Sequence, residues 1–362
     1  MVLLKLGALG LLVLVALKAT STFRHVSYLF NPALIPDPYV QQDKEHTGTC
    51  DVPMVEIKTF TGVHDFETVT KMISAHNEPL LFKGYIKNPV EKWADIEATV
   101  RDVPLAFDKM ELNGFGNMWL SGVTKTGQYT NATIREVLDS TFDPNDTTAL
   151  YSSFSTFLDL DSPTLKDEAT PTSVLKDTNF VSNFPRDILA TSLHSAPTAA
   201  SFSIQYLGRK LWLLASPHHM ENFDLLSTPP TNPLAGSEKQ YFDILRKEGK
   251  GLLVVPQEEG DLFYFPPLWG HAVVTKAGPN VMLNFRRISI LQPFLAYPLR
   301  FIEVLTSSMV MSTTFNDRRK SGTDMKFREY SYPYRHAGKN YDSGCSDQWK
   351  AILNRPVANT QE

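Results

Sequence analysis

Cysteine is almost missing: Cys50 and Cys345 are the only two among 362 residues, so at most one intramolecular bridge can form. A long basic block is missing too. Lys plus Arg number 35 against 39 Asp plus Glu, a balance that lacks the electrostatic footprint of a nucleic-acid binder, and the short run Arg318-Arg319-Lys320 reads as a solvated loop. Internal repeats and low-complexity runs are absent, which excludes a solenoid. An apolar stretch of membrane thickness does not occur at the start of the chain either. The uncharged run Leu6 to Leu17 covers about 18 Å as a helix, against about 30 Å of bilayer hydrocarbon, and fits the core of a signal peptide better than a full span. Ala19-Thr20-Ser21 offers a cleavage site. The alternative is an uncleaved signal anchor over residues 1–21, with Lys5 reaching back to the interface. Either way the body enters the secretory pathway, to the ER or Golgi lumen or the exterior.

What is present agrees with that compartment. With 42% hydrophobic residues, a chain of this length buries a substantial core in one or two domains. Asn131-Ala132-Thr133 and Asn145-Asp146-Thr147 are N-glycosylation sequons. In an oxidising lumen Cys50 and Cys345 can pair and tie the two ends of the mature chain together, a gain of about 2–4 kcal/mol, or they remain separate thiols.

Residues 22–52 are polar, carry Pro32, Pro36 and Pro38, and read as a stalk or linker. An N-terminal α/β portion is expected over 53–150. It holds a short strand at Val55 to Lys58, a helix over Asp65 to Ala75 with Phe66, Val69 and Met72 on one side, and a buried strand from Pro79 to Gly84. Helices over Val90 to Val100 and over Asn131 to Ser140, the latter capped by Thr130, complete it. Strand signals dominate 151–292. Ser201 to Leu207 alternates, with Phe202, Ile204 and Tyr206 on one side and Ser201, Ser203 and Gln205 on the other, which predicts a half-buried antiparallel strand. Gly208-Arg209 turns the chain into a strand over Lys210 to Ala215. A helix over Glu238 to Lys250, ended by Gly251, precedes short strands at 252–255, 261–265, 272–275 and 281–285. Residues 293–362 form a C-terminal helix and tail. The apolar helix Tyr297 to Met311 either packs on the barrel or serves a homodimer or membrane surface.

His194 and His271 lie 77 positions apart, so they share a site only if a barrel-like fold brings their segments together. A neutral imidazole suits Fe(II), and three protein ligands with open positions is the pattern of oxygen-activating iron sites. Lys210 lies on the same side of its strand as Trp212 and Leu214, which favours an inward lysine over a surface lysine on an edge strand. Asp261 reads as a turn residue bonding nearby backbone amides.

The run Gln205-x-x-Gly208-x-Lys210-x-Trp212-x-x-x-x-Pro217, then Gly260-Asp261-x-x-x-x-Pro266-Pro267-x-x-x-His271, then Asn284-Phe285, with His194 ahead of them, resembles the JmjC and cupin-like iron(II)/2-oxoglutarate oxygenases. Within that group it looks closest to the asparaginyl-hydroxylase-like members. The resemblance covers residues 191–287 and extends weakly to the early strand Pro79 to Gly84. It implies an α+β, mainly β double-stranded β-helix with flanking helices. It further implies that His194 and His271 ligate Fe(II) and that Lys210 binds the distal carboxylate of the co-substrate 2-oxoglutarate. Thr191 would add a hydroxyl to that contact, and Asn284 would line the pocket near the metal.

One departure stands out. The family has an acid two residues after its first histidine, and here that residue is Ala196. A methyl group cannot ligate a metal. His218, His219, Glu258 or Glu259 could supply a third ligand; water or a halide could fill the position, as in related oxygenases that chlorinate carbon; or the pocket binds without turnover. The substrate, a lumenal protein, a glycan or a small molecule, is not legible.

Overall fold

The computed structural model describes residues 52–102, 104–111, 129–141, 143, 148–155, 176–195, 199–220, 245–288, 291–298, 301 and 346–356. The leader, Cys50, Cys345, Ala196, Asn145 and most of the expected 297–311 helix lie outside them. The fold is mixed α+β and dominated by strands in two sheets.

The N-terminal portion supplies β1 (Met54–Glu56), β2 (Thr59–Thr61), α1 (Phe66–Ala75), β3 (Leu80–Lys83), α2 (Pro89–Val100), β4 (Pro104–Glu111), β5 (Tyr129–Thr133), α3 (Ile134–Leu138) and β6 (Thr148–Ser155). It is followed by β7 (Lys176–Phe184), β8 (Ile188–Ser195), β9 (Ala199–Leu207), β10 (Lys210–Ala215), α4 (Pro217–Met220), β11 (Leu252–Gln257), β12 (Leu262–Phe265), β13 (Gly270–Thr275) and β14 (Gly278–Ile288). The helices α5 (Leu291–Ala296) and α6 (Ser346–Leu353) come last.

Five strands pair in the order β1-β11-β10-β13-β8, and nine in the order β2-β3-β12-β9-β14-β7-β6-β4-β5. The N-terminal strands are thus woven into both sheets. β1 pairs in parallel with β11, β3 pairs with β12, and β4 to β6 extend the larger sheet beyond β7.

Local sequence explains the helix starts. Asp65 Oδ1 accepts from the Thr68 backbone N–H at 2.7 Å and caps α1, whose Val69 is buried while Phe66, Met72 and Ile73 pack beside it. α3 begins later than predicted. Antiparallel pairing with β4 holds residues 129–133 as a strand, and Thr133, rather than Thr130, is the cap. Glu136 N–H donates to Thr133 Oγ1 at 3.2 Å and Thr133 N–H to Glu136 Oε2 at 2.7 Å, a reciprocal capping box. Gly249 (φ +63), not Gly251, ends the helical residues 245–248. Gly249 N–H donates to Arg246 O and Lys250 N–H to Leu245 O, the paired bonds of a Schellman ending.

Three apolar layers result. Val69, Trp93, Ile134 and Val137 of α1 to α3 cover the outer face of the nine-stranded sheet, where Phe82, Phe202, Ile204, Tyr206, Tyr264 and Phe285 are buried. On the outer face of the five-stranded sheet, Leu211, Leu213, Val254 and Val274 are covered by Val52, Leu245, Ile352 and Leu353. This last cluster draws the two ends of the described chain together, and Arg355 Nη1 adds an ion pair to Glu56 Oε1 at 2.7 Å. Between the sheets lies the third layer: Trp212, Leu214, Val255 and Val273 face Leu81, Phe263, Phe265 and Met282. Each fully buried aromatic or large aliphatic side chain contributes about 1.5–3 kcal/mol over its exposed state.

The alternation of β9 has an outcome the sequence did not suggest. Its polar side is not solvated. Ser201, Ser203 and Gln205 are as buried as Phe202 and Ile204, because they face the space between the sheets.

Candidate active site in the intersheet space

That space is lined by a polar set rare in a core. Lys210, Gln257, His271, Thr275, Asn280 and Asn284 are buried alongside the three β9 residues, with Lys210 only 4% exposed, His271 5% and Asn284 3%. Burying polar groups costs free energy unless each finds a partner. Some do. Gln257 Oε1 accepts from Trp212 Nε1 at 2.7 Å, and its Nε2 donates to Ser203 O at 2.7 Å, a bond that crosses from one sheet to the other. Gln205 Nε2 donates to Asn280 Oδ1 at 2.7 Å. Others do not: Ser201 Oγ, Thr275 Oγ1, Asn284 Oδ1 and Arg286 Nε are buried without a partner among the described residues.

Lys210 follows a turn that only glycine fits. Gly208 has φ +76, and a Cβ there would meet Asn280 Nδ2 at 2.3 Å and Pro279 O at 2.6 Å. The turn delivers Lys210 to the first position of β10, opposite Gln257 on one side and Thr275 on the other. Its ammonium lies 5.5 Å from the Phe180 ring centroid, and among the described residues no carboxylate pairs with it. Burial pushes its pKa down from 10.5 to about 7.

Four residues further along the same strands, Leu214 opposes His271, about 13 Å from the Lys210 row at strand rise. The His271 ring sits 4.5 Å from that of Phe265 and 5.8 Å from that of Trp212, centroid to centroid, with its Nδ1 3.4 Å from Trp269 O. The register of β13 with β8 puts His194 directly opposite His271, and Thr191 opposite Val273 beside a bulge. Directly opposed positions of an antiparallel pair share one face. The two histidine positions, remote in sequence, are therefore neighbours in the fold. Asn284 pairs with Ser203 on β9, in the facing sheet.

The four candidate substitutes for an acid at 196 are engaged elsewhere. His219 Nε2 lies 2.9 Å from Glu248 Oε2 and its Nδ1 3.2 Å from Ser216 Oγ; Lys250 first and His219 second hold the Glu248 carboxyl down to about 2. His218 is exposed on the same short helix, α4. Glu258 ion-pairs with Lys83 at 3.3 Å, and Glu259 Oε1 accepts from Gly208 N–H at 2.8 Å. Both glutamates follow Gln257, the register partner of Lys210, and so stand at the opposite end from His271. Among the described residues no three His, Cys, Asp or Glu side chains converge as a metal cluster. Asp261 is the turn residue expected: its Oδ1 accepts from Gly84 N–H and its Oδ2 from Glu258 N–H, both at 2.9 Å, and it pairs with Lys83 at 2.8 Å.

Sequence reasoning passed over Thr275, Gln257, Ser201 and Arg286. Their parity with His271, Lys210 and Asn284 along β13, β11, β9 and β14 was the available signal. No protein-family model matches the chain, and no curated protein matches it.

Proposed function

We propose that the chain is an Fe(II)/2-oxoglutarate-dependent oxygenase of the secretory pathway, built on a double-stranded β-helix and carrying a two-histidine metal site without the usual acid. The observation that carries the reading is Lys210: a cation sealed between the sheets, with no carboxylate partner among the described residues, on a strip that ends at His271. A protein leaves such a charge in place when an anionic ligand completes it.

The strand order supports the architecture. Of the eight strands β7 to β14, β11-β10-β13-β8 pair in one sheet and β12-β9-β14-β7 in the other, as in a jelly roll of this type. The donor set fits the implied groups. Lys210, with the orphan hydroxyl of Thr275 opposite it, suits a carboxylate, and the opposed positions His194 and His271 suit a metal. Bound iron with its co-substrate would supply oxidative decarboxylation and oxidation of a C–H bond, by hydroxylation or, if halide fills the position vacated by Ala196, by halogenation. The chain's own part is narrower. Lys210 neutralises the distal carboxylate, with Thr191 as a further hydroxyl on that end and Asn284 lining the pocket. Trp212, pinned by Gln257, and Phe265 wall the His271 end and exclude water.

Lumenal placement is supported by the leader pattern and by Asn131, exposed on β5 at the edge of the larger sheet, where a glycan has room. The substrate would be a lumenal protein, a glycan or a small molecule. Ala196 favours a second reading, a pocket of the same build that binds without turnover.

The test is anaerobic addition of Fe(II) and 2-oxoglutarate, followed by the weak visible absorption of the ternary complex, on the wild type, His271→Ala and Lys210→Ala. A band lost in either variant supports the oxygenase. No band and no retained metal sinks it, and added chloride that shifts the band points to the halogenating branch.

A further inference from the structure

A second cation on the inner face of the larger sheet, half-buried Arg286, has no carboxylate partner among the described residues. Arg286 lies two residues beyond Asn284 on β14, on the face opposite Phe285, whose ring is buried in the outer layer. It therefore faces inward with Asn284. Its Nε is buried and has no hydrogen-bond partner, and no carboxylate pairs with it among the described residues. Burial also weakens its hold on its proton, without discharging a guanidinium.

Its neighbour is in the same condition. The register places Arg286 opposite Ser201 on β9, and Ser201, 1% exposed, has an Oγ with no partner. Ser201 in turn opposes Phe265 on β12, whose ring lies 4.5 Å from His271. Arg286 and Ser201 thus belong to the row that ends beside the histidine, whereas Lys210 stands about 13 Å away along β10. A buried N–H donor and a buried hydroxyl side by side, under a permanent positive charge, match the two oxygens of a carboxylate.

We infer that Arg286 and Ser201 form a second anion subsite, distinct from Lys210, and that the substrate presents a carboxylate to it beside His271. The assignment of that carboxylate to a substrate rests on the oxygenase reading above; the existence of the subsite does not.

Propionate, a minimal carboxylate, is the probe. Its binding to the full chain is followed by ligand-observed NMR, with and without saturating 2-oxoglutarate and redox-inert Zn(II). The wild type should bind propionate in both conditions. Arg286→Gln should weaken it by at least about tenfold and Ser201→Ala by about threefold, the range of one charge-assisted and one neutral hydrogen bond. Arg286→Lys should retain part of the affinity, and 2-oxoglutarate affinity should change less than about twofold in all three variants, since a contact it does not make is not lost. Ser201→Ala removes a single oxygen and reads the same subsite should the glutamine variant fail to fold. Equal propionate binding by wild type and variants overturns the inference. So does displacement of propionate by 2-oxoglutarate, loss of 2-oxoglutarate binding in Arg286→Gln, or chloride binding as tightly as propionate. If the wild type ignores 2-oxoglutarate yet binds propionate through Arg286, the oxygenase reading falls and the subsite stands.

Discussion

Replacing Lys210 by methionine should make the protein more stable and at once unable to hold 2-oxoglutarate. The side chains have similar volume, so packing against Phe180 is kept while the charge goes. The stability gain follows from the depressed pKa. In the unfolded chain the lysine titrates near 10.5, and in the folded interior near 7. At 1.36 kcal/mol per unit, that difference sets a ceiling of about 4–5 kcal/mol on the destabilisation at neutral pH. Relaxation and water entry reduce it, and a gain of about 1–3 kcal/mol is expected. The pH dependence has a definite sign. Between about 7 and 10.5 the unfolded chain holds a proton that the folded chain has released, so wild-type stability rises with pH there. The advantage of the methionine variant is then largest at and below pH 7 and shrinks as pH rises, by at most about 1.4 kcal/mol per unit. Urea denaturation of ligand-free wild type and variant at pH 7, 8 and 9 measures this. A variant less stable than wild type at pH 7, or an advantage that does not narrow by pH 9, would refute an unpaired buried cation and make Lys210 a structural residue.

The same titration bears on the proposed co-substrate. Affinity for 2-oxoglutarate, read by calorimetry, should fall as pH rises above about 7, by up to tenfold per unit, because the ligand needs the ammonium form. Gly208→Ala combines a positive φ with a Cβ 2.3 Å from Asn280 Nδ2; it should cost more than about 2 kcal/mol in urea denaturation, and a cost under half of that would disprove the close turn. Val52, two residues after Cys50, and Ile352 and Leu353, shortly after Cys345, share one apolar cluster. Non-reducing peptide mapping should recover a Cys50–Cys345 linked peptide, and reduction should lower stability by about 2–4 kcal/mol; two free thiols on mapping would exclude the bridge.

Much of the fold was legible in local sequence. The spacing of Phe66, Val69 and Met72 marked α1, the apolar block before Gly84 marked β3, and alternation marked β9 and β10, because side-chain periodicity acts over a few residues. Local signals failed where pairing overrode them, as at residues 131–133, which β4 holds as a strand. The chain also specified, by residue type alone, two histidines, a lysine after a glycine turn, and an alanine two residues after the first histidine. What it could not specify was which side of a strand is outside. In β9 the serines and glutamine alternate with aromatics as they would on a solvated sheet, yet helices cover the aromatic side and the second sheet covers the polar one. Only the tertiary structure brought His194 opposite His271, and only it buried Lys210 and the Arg286 Nε without a carboxylate partner among the described residues. Register and sheet-on-sheet packing are set by contacts between residues far apart in sequence, and a side chain's desolvation is a property of everything that closes over it.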